Sequence, residues 1–199
     1  MGHNPQPLKF TQVGTTENAL KRAIWISEKS QLDASTVSWI DFELPVHFDG
    51  SSRDNCVDLL GIDENGKYVL CELKFSCNRS DSPKDACDEL SAYDQQLKKY
   101  APEFKLHADN PRSHLFSINS FLNGQYRKVV AADKEYWSYW LRREPHLPTT
   151  EFPEIEFYSI EVDPDEFKNQ KEKAGGGEFT PAPPSSGLTW VRLSSEKST

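Results

Sequence analysis

The chain has 199 residues, with 23 Lys and Arg against 31 Asp and Glu, a net charge of −8 and four cysteines. That length fits one domain able to bury its own core without staples, and the acidic balance excludes a polybasic protein that coats nucleic acid with its whole surface. The acidity is uneven, because residues 1–150 hold 18 basic against 21 acidic side chains and residues 151–199 hold 5 against 10, so a local basic groove stays possible.

No apolar run reaches the ~18–20 residues that span a bilayer, and the opening "MGHNPQPLKF" lacks the apolar centre of a signal peptide. A soluble, cytoplasmic protein is expected, with no membrane partner. Cys56, Cys71, Cys77 and Cys87 form no C-x-x-C pair, which argues against a zinc ribbon; Cys56 and Cys71 read as reduced residues in apolar strands.

In chain order, Thr15 and Thr16 precede "ENALKRAIWISEK", whose apolar residues recur at helical spacing and predict a helix from about Thr16 to Lys29. "VSWIDFELPVHF" alternates up to Pro45 and predicts a first strand, placed at an edge because of that proline. "VDLLGID" and "KYVLCELKF" predict the second and third strands, paired through an Asn65-Gly66 turn. Ser82, Pro83 and Asp85 make a helix start, and Ala86, Leu90, Tyr93, Leu97 and Tyr100 continue it as an amphipathic stripe up to Ala101-Pro102.

Further along, "INSFL" reads as a short helix, "RKVVAAD" as a strand, "KEYWSYWLRRE" as a short helix and "IEFYSIEV" as a strand. "PDEFKNQKEK" has the pattern of one or two polar helical turns. "AGGGEFTPAPPSSG" has linker composition, so residues 1–170 are expected to form the domain and 171–199 a flexible segment that returns one strand at 188–193. The order predicts an α/β domain with a mixed β-sheet flanked by helices.

Three charges stand out in the apolar hairpin: Asp58, Glu72 and Lys74. Glu72 and Lys74 share a face of their strand. Asp58 joins them only if the turn is an odd loop, Glu64-Asn65-Gly66 with Gly66 left-handed; a two-residue loop would turn Asp58 to the other face. In the odd register the two carboxylates would repel and call for a cation between them, and Mg²⁺ or Mn²⁺ suits such a site because it takes a few carboxylate oxygens and accepts phosphate. Lys74 would then serve as a base or as a charge stabiliser in phosphodiester hydrolysis. Spacing alone fits a salt bridge on a wet sheet face equally well.

"RDNCVDLLGID" followed by "YVLCELKF" resembles the core signature of the PD-(D/E)xK nuclease superfamily, with Asp58 in place of the first acid and Glu72-Leu73-Lys74 as E-x-K; Val57 stands where that signature has proline. The resemblance implies a restriction-endonuclease-like core, a Mg²⁺ or Mn²⁺ cofactor held by Asp58 and Glu72, and Lys74 as a catalytic residue. It also implies a further acid from the first helix, Glu17 before Glu28, with Glu43 on the first strand as a third candidate. Gln96 to Tyr100 resembles the Q-x-x-x-Y motif of the RecB-type branch, with Gln96 as a positioning residue and Tyr100 near the nucleic acid, although Tyr100 also completes the apolar stripe.

Candidate phosphate contacts are Arg53, Lys84, Lys98, Lys99, Lys105 and Arg112. Tyr136, Trp137, Tyr139 and Trp140 could stack bases, but their spacing favours packing. The expected function is a metal-dependent nuclease acting on DNA, endo or exo, as a monomer or a homodimer. The alternative is a non-catalytic nucleic-acid- or protein-binding module on the same fold.

Overall fold

In the computed structural model, residues 16–46, 56–76, 80–100, 105–106, 110–124, 126–162 and 188–194 are described. Arg53, Cys77 and the segment "PDEFKNQKEK" lie outside them. Among the described residues four α-helices, α1 (Thr16–Ile26), α2 (Pro83–Tyr100), α3 (Ile118–Asn123) and α4 (Lys134–Trp140), pack on seven strands. The strands are β1 (Lys29–Leu32), β2 (Ser35–Pro45), β3 (Cys56–Asp63), β4 (Tyr68–Lys74), β5 (Arg127–Asp133), β6 (Ile155–Glu161) and β7 (Thr189–Leu193). Among the described residues no helix is long and apolar enough to cross a membrane.

The sheet is mixed and its strands lie in sequence order, β1 to β7. Neighbours from β1 to β4 run antiparallel, β4, β5 and β6 run parallel, and β7 returns antiparallel to β6. The parallel pairs need crossovers, which α2 with α3, and then α4, supply. β4 lies between an antiparallel and a parallel neighbour, and all seven of its residues are buried, as expected of a strand covered on both faces.

Two apolar clusters sandwich the sheet. On one side α1 contributes Leu20, Ala23 and Ile24 against Leu59, Val69, Cys71, Leu73 and Val129. On the other, Leu90 and Leu97 of α2, Phe121 of α3 and Trp137 of α4 cover Leu60, Leu70, Val130 and Phe157. The two sheet edges approach each other: Tyr158 donates to Asp33 Oδ2 at 2.9 Å, Arg192 reaches the same oxygen at 2.9 Å, and Trp39 stacks on Trp190 at 5.6 Å.

Helix α1 ends at Ile26 rather than Lys29, and the residues that follow make β1, a strand that the polar sequence "KSQL" does not announce. Its buried Ser30 is satisfied by Trp39 Nε1, which donates to the hydroxyl at 2.8 Å. This extra strand corrects the placing of β2 as an edge: β2 has partners on both sides, and Pro45 sits at its end, opposite Cys56. The aromatic run of α4 resolves in favour of packing for Tyr136 and Trp137, which are buried, whereas Tyr139 and Trp140 are half-buried.

Gly61 of β3 lies against β2 so closely that a Cβ there would meet Val37 Cγ1 at 2.6 Å and Trp39 Cε3 at 2.9 Å. Neither neighbour has room to retreat, since both are fully buried. Gly61→Ala is therefore expected to cost about 2 kcal/mol or more, read as a lower urea midpoint with an unchanged slope.

Candidate active site

The hairpin turn decides which side chains meet. Asp63 Oδ1 accepts from the amides of Asn65 and Lys67, both at 2.9 Å, the Gly66 amide donates to Asp63 O at 2.9 Å, and Gly66 has φ +78°. The loop is thus the three residues Glu64-Asn65-Gly66, with glycine where a left-handed residue is required. It sets the register Leu60 to Leu70 and Leu59 to Cys71, which one step further places Asp58 opposite Glu72.

At that step the ladder stops. The Leu73 amide donates to Asp58 Oδ2 at 2.7 Å, so a carboxylate fills the place where a strand carbonyl would sit. On the other side of β3, Glu43 of β2 lies opposite Asp58, flanked by the pairs Phe42 with Leu59 and Leu44 with Val57. Phe42 and Leu59 pack on the α1 side, whereas Leu44 and Val57, two residues away on each strand, pack on the α2 side. The strands change face here, and Glu43 takes a left-handed φ of +50° to do so. For a residue with a Cβ that conformation costs on the order of 1–2 kcal/mol.

A change of face lets both helix layers reach one place. A cavity of about 450 Å³ is lined by Glu17 and Lys21 from α1, Glu43 from β2, Cys56 and Asp58 from β3, Glu72 and Lys74 from β4, and Glu89 and Tyr93 from α2. It gathers five carboxylates and two ammonium groups. Lys21 Nζ lies 2.5 Å from Asp58 Oδ1 and 3.6 Å from Glu43 Oε1. Lys74 Nζ donates to Glu72 Oε1 at 3.0 Å and Glu89 Oε2 at 2.8 Å, with Asp81 Oδ2 at 3.6 Å.

Burial alone would lower both lysines, but Asp58 beside Lys21 and Glu72 beside Lys74 more than offset it and hold both ammonium groups above their usual range. The acids show the opposite strain. Burial, and then the charge of Asp58, push Glu72 well up. The same two causes raise Glu17 to about 7, against the opposing pull of Lys21. Glu72 Oε2 is buried without a hydrogen-bond partner among the described residues.

These features bear on whether a hard cation fits. The excess of carboxylate charge, the raised acids and the orphaned Glu72 oxygen all favour one, and Asp58 with Glu72 would hold it, with Glu17 in reach of the same cavity. Among the described residues no three acid, imidazole or thiol groups stand ready as a metal cage. Mg²⁺ needs no such cage, because one or two carboxylates suffice when water and phosphate complete its shell.

The remaining candidates divide. Glu17 and Glu43 both face the cavity. Glu28 does not: its side chain is 70% exposed, next to Arg112 at 3.6 Å. Gln96 is half-buried and absent from the cavity lining; Tyr93, about one turn earlier on α2, and Glu89, two turns earlier, occupy that place. The side chain of Tyr100 lies outside the described residues.

Arg112 is engaged within the fold. It donates to the carbonyls of Trp25 at 2.6 Å and Trp39 at 2.8 Å with its guanidinium over the Trp25 ring, so it fastens the end of α1 to β2. Lys84 pairs with Glu151 and Lys98 with Asp94, while Lys99 and Lys105 are exposed. The basic side chain that the sequence left unmarked is Lys21, and the one signal for it is its place one turn after Glu17 on α1.

No family model, no curated protein and no solved structure matches this chain.

Proposed function

We propose that the protein is a metal-dependent phosphodiesterase that hydrolyses DNA on a restriction-endonuclease-like core. The observation that carries the reading is the convergence of Asp58, Glu72 and Lys74 in one acid-rich cavity at the point where β3 and β4 part. Asp58 and Glu72 are the residues to hold Mg²⁺ or Mn²⁺. The chemistry such an ion supplies is neutralisation of charge on the phosphoryl group under attack.

Lys74 is held protonated between Glu72 and Glu89, so its role is that of a fixed cation facing the phosphate rather than a proton acceptor. Tyr93, whose phenol burial pushes up, stays a neutral hydrogen-bond donor at the cavity wall. Glu89, one turn before it, restrains the Lys74 ammonium.

A second reading, a binding module without turnover, is favoured by one feature: the ion pairs of Lys21 and Lys74 already engage Asp58 Oδ1 and Glu72 Oε1. Incubation with plasmid and single-stranded DNA separates the two. The nuclease reading expects cleavage with Mn²⁺ or Mg²⁺, none with chelator, and at least about a 10²-fold loss in Asp58→Asn. DNA binding that is indifferent to chelator, without cleavage, would favour the second.

A further inference from the structure

We propose that Lys21 is a tethered counter-ion that occupies the cation position at Asp58 and must move aside before a divalent ion binds there; this rests on the metal-dependent reading above. Asp58 has one oxygen committed to the backbone, Oδ2 on the Leu73 amide. The other, Oδ1, is the oxygen free of the backbone and the one that Lys21 holds. A divalent ion held by Asp58 and Glu72, whose Oε2 has no hydrogen-bond partner among the described residues, would compete with that ammonium, because both neutralise the same charge and cannot share its near side.

The fold provides for the exchange. Lys21 stands on α1, whose Leu20, Ala23 and Ile24 are fully buried, so the helix stays in place and only the four-carbon stem needs to turn. A second acceptor lies beside it: Glu43 Oε1, 3.6 Å from Nζ, on a side chain that is 39% exposed. Moving from Asp58 towards Glu43 keeps the ammonium paired, so it never stands as an isolated buried charge. The lysine then flanks the cavity on the α1 side as Lys74 does on the β4 side, placed to meet a phosphate oxygen.

A lysine that holds the ion's own oxygen and one that only adds positive charge to the cavity differ in how far metal affinity rises when the lysine is removed, and in whether that rise needs Asp58. Mn²⁺ binding to the full chain, followed by calorimetry and by the electron paramagnetic resonance of free Mn²⁺, is expected to be at least ten-fold tighter in Lys21→Met than in the parent. That gain should vanish on an Asp58→Asn background, where Lys21 no longer holds the carboxylate. Equal or weaker binding by folded Lys21→Met overturns the inference and leaves the nuclease reading standing, as does an undiminished gain on the Asp58→Asn background. No Mn²⁺ binding by either protein overturns both.

Should Lys21→Met fail to fold, the ammonium nitrogen resonance of Lys21 in the parent chain reports the exchange directly. It is expected to shift as Mg²⁺ is added to saturation, and a resonance unchanged at saturation overturns the proposal.

Discussion

Replacing Lys74 by methionine should lower Mn²⁺-dependent cleavage by about 10²–10⁴-fold while leaving Mn²⁺ binding intact or tighter. The split follows from position. Lys74 is not a ligand; its ammonium bonds to Glu72 Oε1 and Glu89 Oε2, so its removal takes positive charge from the cavity and can only favour a cation there. What is lost is the fixed charge facing the phosphate. Methionine keeps the stem volume in a strand that is buried throughout.

Without its partner, Glu72 takes up a proton rather than standing as a buried anion, since burial already pushes it well up. The fold therefore survives at a cost of ~1–3 kcal/mol. Lys74→Met combined with Glu72→Gln reads the stability effect alone: the double variant regains stability, and its cleavage is lost with the metal ligand in any case. Single-turnover cleavage by Lys74→Met at the parent rate would remove Lys74 from the chemistry.

How far such a site can be seen in a sequence depends on whether the information is local. The odd hairpin loop is local: Asp63, Asn65 and Gly66 together specify a turn whose hydrogen bonds close within five residues, and that turn fixes the register of Asp58 and Glu72. The start of α2 is local too: Asp85 Oδ2 accepts from the Ser82 amide at 2.8 Å, and Ser82 Oγ accepts from the Asp85 amide at 3.2 Å. Both could be read from residue types alone.

What escaped the sequence is set by packing. β1 is a strand because Trp39 brings a donor to Ser30 and β2 needs a neighbour, neither of which the letters "KSQL" contain. Gln96 and Tyr93 both lie on α2, and only the crossing of α2 over β4 decides that Tyr93 reaches the cavity. Lys21 reads as a solvated lysine on an amphipathic helix until the change of face at Glu43 and Asp58 brings the α1 layer to the hairpin. That change depends on a left-handed glutamate, a conformation no sequence rule assigns to that residue type.

The assembled cavity should also weaken the protein that holds it. Glu17 has a folded-state pKa of about 7 against an ordinary 4.5, raised chiefly by burial and then by the charge of Asp58. Below pH 4.5 the group is neutral in both states and costs nothing. Between 4.5 and about 7 the unfolded chain loses its proton first, so the folded state binds more protons and stability falls as pH rises; above 7 the penalty is complete. From those two values the penalty is at most about 3 kcal/mol.

Glu17→Gln should therefore match the parent near pH 4 and exceed its unfolding free energy by ~1–3 kcal/mol at pH 8 in the presence of chelator. Urea denaturation of the two proteins across that range measures the difference. A divalent ion should raise the stability of the parent at pH 8, because it supplies the charge that Glu17 and Asp58 want. A parent whose stability climbs from pH 5 to 8 in chelator, or a Glu17→Gln protein less stable than it at pH 8, would mean that this carboxyl is solvated and that the cavity carries no excess of negative charge to attract an ion.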